Sequence, residues 1–100
     1  MSTYVFKILS FLRYTNSKGG MAMLNTIIVG NVIRQFREER NKSQELVSGL
    51  AGIGRTHLSA IERGERRPTL DTFFRIAYAL GVKPSVLMQA MEEEIAKTEL

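Results

Sequence analysis

Ser43-Gln44-Glu45-Leu46-Val47-Ser48-Gly49-Leu50-Ala51-Gly52-Ile53-Gly54-Arg55-Thr56-His57-Leu58-Ser59-Ala60-Ile61-Glu62-Arg63-Gly64 carries most of what this chain says about its own folding. Ser43 is a good N-cap for a helix holding Leu46, Val47 and Leu50, and Gly52 breaks that helix. Leu58 and Ile61 mark the next helix, which ends at Gly64. Gln44 opens the first of the pair, and Ser48 supplies a small side chain where the two helices cross closely. Gly52 takes the turn, where a positive φ costs glycine little. Small, glycine and large apolar residues at these offsets let two short helices pack near a right angle.

The helical pattern continues on both sides. Upstream, Val29, Ile33 and Phe36 make the apolar stripe of a helix from Thr26 to about Arg40, and Asn41 tolerates the left-handed conformation that closes it. Downstream, Pro68-Thr69 opens a helix with Leu70, Phe73, Ala77 and Leu80 at helical spacing, stopped by Gly81. Pro84 starts a last helix with Leu87, Met88, Met91 and Ile95 along one side. No alternating strand pattern follows residue 30, and no internal repeat is present. The expected fold is all-α, with five helices and an N-terminal extension.

One hundred residues, 44% of them hydrophobic, suit a single small domain with one modest core. The expected division is an extension over residues 1–24, the domain over 25–89, and an acidic helix end or tail over 90–100. Fourteen Lys and Arg against ten Asp and Glu give a net charge of +4, which favours an anionic partner. The excess lies in the middle of the chain. Residues 30–89 carry ten basic and six acidic side chains, whereas residues 90–100 carry four acids and Lys97 alone. Zero cysteines exclude a disulfide framework and thiolate metal sites. No apolar run approaches the ~20 residues that span a bilayer, so a cytoplasmic location is expected.

Two short helices about a glycine turn are a helix-turn-helix, and here the sequence resembles a known family, the phage repressor and Cro type, often called the XRE type. The resemblance runs without a gap from about Gly30 to Leu87. It rests on Ile33-x-x-Phe36-Arg37, Ser43-Gln44-Glu45, Ala51-Gly52-Ile53, Leu58-Ser59-Ala60-Ile61-Glu62-Arg63-Gly64, and Pro68-Thr69-Leu70 leading to Ala79-Leu80-Gly81-Val82. The family implies five helices, with the third in the major groove of DNA as the recognition helix. Carried over by position, Arg55, Thr56, Ser59 and Ala60 face base edges. Arg55 can donate twice to guanine, and Ala60 can touch a thymine methyl. Gln44 resembles the residue that binds a phosphate at a helix N-terminus. His57, Arg63, Arg66 and Arg67 are placed to reach further phosphates, contacts that set affinity and register rather than sequence choice. The family also suggests a structural ion pair between Arg37 and Glu62. This sequence departs from the family at Val47 (usually Leu), Ser48 (usually Ala), Gly49 inside a helix and Gly54 at the recognition helix's cap, all of which weaken packing more than binding.

The resemblance implies a homodimeric repressor or autoregulator acting on a palindromic operator in double-stranded DNA. Such proteins often dimerise near the last helix, which makes Leu87, Met88, Met91 and Ile95 the candidate dimer contact; the same stripe can instead close the core. A different class is an antitoxin-like or adaptor module whose partner is another protein, bound through residues 84–100 or the N-terminal segment. An enzyme is not expected, since the chain has no thiol, one histidine and no paired carboxylates placed for acid-base work. That lone His57 is not a metal site, and no cofactor is expected. Residues 1–22 lie outside the resemblance, and two readings stay open. They form an added helix, or they precede a natural start at Met21 or Met23, because Lys18-Gly19-Gly20 is what a purine-rich ribosome-binding sequence encodes in frame.

Overall fold

Three of the five helices start where a side chain satisfies a free backbone N–H. In a computed structural model describing residues 24–98, the Asn25 side chain accepts from Ile28 N at 2.8 Å, Ser43 Oγ from Leu46 N at 3.0 Å, and Thr69 Oγ1 from Thr72 N at 3.1 Å. These caps open α1 (Thr26–Glu39), α2 (Gln44–Ala51) and α4 (Leu70–Leu80). α3 (Arg55–Glu62) begins after Gly54 and has no side-chain cap, and α5 (Pro84–Thr98) begins at proline. The architecture is all-α, five helices with no strand among the described residues. The proposed extension and alternative start sites lie outside the described residues.

The ends of α2 and α4 are closed alike. Gly52 at φ 69° and Gly81 at φ 76° end the helices, while Ile53 N bonds Ser48 O and Val82 N bonds Ala77 O, both at 3.0 Å. This bond satisfies a carbonyl the helix leaves over, and a Cβ would resist the left-handed backbone it requires. Asn41 takes that conformation after α1, at φ 53°.

One core joins all five helices. Val32 and Ile33 of α1, Val47 of α2, Leu58 and Ile61 of α3, Ile76 and Leu80 of α4, and Leu87 and Met91 of α5 are all at most 2% exposed. α2 packs most extensively on α4, and α1 lies against both α3 and α5. Burying each such large side chain contributes about 1.5–3 kcal/mol.

The structure bears on three sequence expectations. Leu87, Met91 and Ile95 are at most 2% exposed and Met88 is half-buried. The stripe expected as a dimer contact therefore fills this chain's own core, leaving three of its four side chains without surface for a second copy. α5 runs unbroken past residue 89, so residues 90–98 are the helix end, and Met91 there belongs to the core. Leu46, Leu50 and Leu70, read as part of apolar helix faces, are exposed.

Candidate nucleic-acid interface

α3 is a helix with two unlike sides. Leu58, Ile61 and Glu62 turn inward, while Arg55 and Thr56 at its N-terminal end are exposed and Ala60 is half-buried. The inward side is fixed by Glu62, whose side chain is 3% exposed. Its carboxylate accepts from Arg37 Nε at 2.7 Å and Arg37 Nη2 at 2.8 Å, and from Gln44 Nε2 at 3.0 Å. Arg37 Nη1 also donates to Lys42 O at 2.9 Å. The C-terminal end of α1, the first residue of α2 and the last residue of α3 thus meet at one carboxylate. Its hydrogen bonds to Glu62 raise the Arg37 pKa above its already high ordinary value, despite the opposing effect of burial.

Gln44, assigned by resemblance to a phosphate, is therefore held at the N-terminus of α2 by Glu62. Its position at the helix end is set from inside the protein.

The outward side is more crowded than the sequence suggests. Arg63 grips Glu65 through both arms, Nε to Oε2 at 2.8 Å and Nη2 to Oε1 at 3.1 Å, while its Nη1 donates to Ser59 Oγ. Ser59, expected at base edges, accepts from Arg63, and Arg63, expected at a phosphate, also pairs with Glu65. The hydrogen bond from Arg63 holds the Glu65 carboxyl below the usual carboxylate range. Glu65 also lines a shallow cleft with Thr56, His57, Ala60 and Arg66. Arg66 and Arg67 are exposed and pair with no carboxylate among the described residues. Arg55 lies 3.9 Å from Glu45, with both side chains well exposed, too far for more than a weak attraction.

Sequence reasoning missed Glu45, Glu65, Gly30 and Lys42. The acids escape notice because helical spacing does not relate them to Arg55 or Arg63. Gly30 had a signal, an isolated glycine inside a helical pattern. A Cβ there would sit 2.6 Å from Glu62 O and still closer to Ile61 O, so its absence lets α1 approach the end of α3. Lys42 donates to Ala79 O at 3.0 Å and ties the α1–α2 loop to the end of α4.

A short helix with an exposed N-terminal end, packed against a second short helix across a glycine turn, is the architecture of helix-turn-helix transcriptional regulators. Residues 33–87 match the family described as Helix-turn-helix, and the chain belongs to that family, of the XRE type. It is 36% identical over 66 residues to an HTH-type transcriptional regulator, y4dJ of Sinorhizobium fredii, covering 66% of this chain and 86% of that one. It is 40% identical over 63 residues to the control protein C.BamHI of Bacillus amyloliquefaciens, covering 62% and 78%. Among solved structures, the restriction-modification controller protein C.AhdI from Aeromonas hydrophila aligns with a TM-score of 0.60 at 31% identity, over 62% of this chain and 94% of that one. The controller protein C.Esp1396I, solved as a tetramer in complex with its natural 35 base-pair operator, aligns with a TM-score of 0.66 at 30% identity, over 70% and 92%. Among the described residues no helix is long and apolar enough to cross a membrane.

Proposed function

We propose that this chain binds double-stranded DNA sequence-specifically as a homodimer and acts as a transcriptional repressor or autoregulator. The observation that carries the reading is the exposure of Arg55 and Thr56 at the free end of α3, while the opposite side of the same helix is locked by Glu62. Specificity needs side chains at base edges whose angle of approach does not wander, and a braced helix supplies that.

In this reading Arg55 donates two hydrogen bonds to guanine O6 and N7, Thr56 bonds a neighbouring base, and Ala60 packs on a thymine methyl. Gln44, His57, Arg66 and Arg67 contact phosphates. Arg63 joins them only by leaving Glu65. Two subunits read half-sites about one helical turn, ~10 base pairs, or a multiple apart. The likeness to controller proteins, one of them solved on its operator, supports an operator-binding regulator.

Selection of bound sites from a random duplex library, run in parallel with Arg55→Ala, tests this. The expected result is a palindromic motif that loses preference at one position in each half-site in the variant. A motif unchanged by the variant removes Arg55 from base readout. No enrichment at moderate salt overturns the DNA-binding reading and favours a protein-interaction role.

A further inference from the structure

We propose that a second copy of this chain docks along the outward stripe of α4, Leu70, Phe74 and Tyr78, with the apolar groove beside it as the receiving surface. The inference rests on the dimeric reading above and says where the two subunits meet.

These side chains stand at i, i+4 and i+8 and are 70%, 53% and 79% exposed. A lone exposed leucine needs no explanation, but three large apolar side chains in one line form a patch. The patch is continuous with the core, because Phe74 meets the ring of Phe73 edge-on with centroids 6.2 Å apart. Leu70 and Phe73 also line an open apolar groove, closed on its other sides by Val29, Met88 and Met91. Protruding side chains and a recess thus share one side of the molecule, as a self-complementary twofold contact requires.

Charge argues for a copy of the same chain over other partners. Asp71 and Arg75 flank the stripe one turn apart and pair at 2.9 Å. Two α4 helices meeting antiparallel across a twofold axis set each Asp71 against the other chain's Arg75, so the contact is electrically balanced although each chain carries +4. The three side chains expose on the order of 400 Å² per copy, about half the ~800 Å² per partner of a standard interface. The mouth of the groove at Pro68 and Met88 and the polar rim of Asp71 and Arg75 add to that area. Aromatic anchors ringed by a polar rim are the usual composition of such a contact. Because α4 follows α3 through the Arg63–Thr69 loop, this contact also fixes the separation of the two recognition helices.

Sedimentation equilibrium of the full chain without DNA, beside Phe74→Glu and Leu70→Glu, tests the assignment. The parent is expected to dimerise, and each variant to raise the dimer dissociation constant at least 100-fold while keeping the parent's circular dichroism and a cooperative thermal transition. If either glutamate variant does not fold, Tyr78→Ser, which changes the most exposed of the three side chains, takes its place with the same expected direction. Folded variants that dimerise like the parent overturn the proposal, as does a parent that stays monomeric at the highest concentration. A chain beginning at Met23 tests the other occupant. If it alone dimerises, residues 1–22 cover the groove and the proposal falls. Because no duplex is present, a failure of the DNA-binding reading leaves these outcomes intact.

Discussion

Glu62 shows how much of the candidate interface depends on one side chain that never reaches it. Its carboxylate takes two hydrogen bonds from Arg37 and one from Gln44, and only 3% of the side chain is exposed. Glu62→Ala leaves the Arg37 guanidinium, itself 12% exposed, without its partner, and is expected to cost about 3–5 kcal/mol. A lower urea midpoint with an unchanged slope would record that loss. Glu65 is expected to behave in the opposite way, because it restrains a cation at the surface. Glu65→Gln removes a negative charge from the α3 side and frees Arg63. Affinity for any duplex is expected to rise, and the plot of log affinity against log salt to steepen by about one unit. Equilibrium binding at several salt concentrations measures both. An unchanged slope would show that Arg63 does not join the phosphate contacts.

Two helical glycines that look alike in sequence differ at the level of the element. Nothing lies within 4 Å of a Cβ built on Gly49, which sits in α2 on the exposed side. Gly49→Ala is expected to stabilise the fold by about 0.5–1 kcal/mol through the backbone entropy glycine loses on entering a helix. A thermal midpoint higher by several degrees would record it. Gly30 lies where α1 touches the carbonyls that end α3, and a methyl there would meet Glu62 O at 2.6 Å. Gly30→Ala is expected to cost about 1–3 kcal/mol and to displace α3, so the midpoint falls and, on the proposed reading, DNA affinity falls with it.

The charge of the whole molecule is uneven. Arg66 and Arg67 stand exposed in the loop after α3, whereas the acids Glu92 and Glu93 project from α5. If the two arginines hold phosphates, the double variant Arg66→Ala with Arg67→Ala is expected to lower the salt slope by about two units per subunit. The sequence motif preferred in library selection should stay the same. A changed motif would move one of them from the phosphates to the bases.

Helix positions, the glycine turn, the Ser43 cap and the family register were legible in the chain itself. They depend on neighbours within four residues, and a period or a cap is a local property. The Arg37–Glu62 contact was suggested by resemblance, and the structure supplies its geometry and the addition of Gln44. Tertiary structure alone decided the rest. An apolar stripe says that a helix has a side to bury but not what buries it. Leu87, Met91 and Ile95 therefore read equally as core or dimer contact until α1 and α4 were seen to cover α5. In the same way the helical spacing of Leu70, Phe73, Ala77 and Leu80 gives no sign that Leu70 alone of the four is exposed. The close approach at Gly30 arises where a second helix arrives, and spacing along one element carries no record of that.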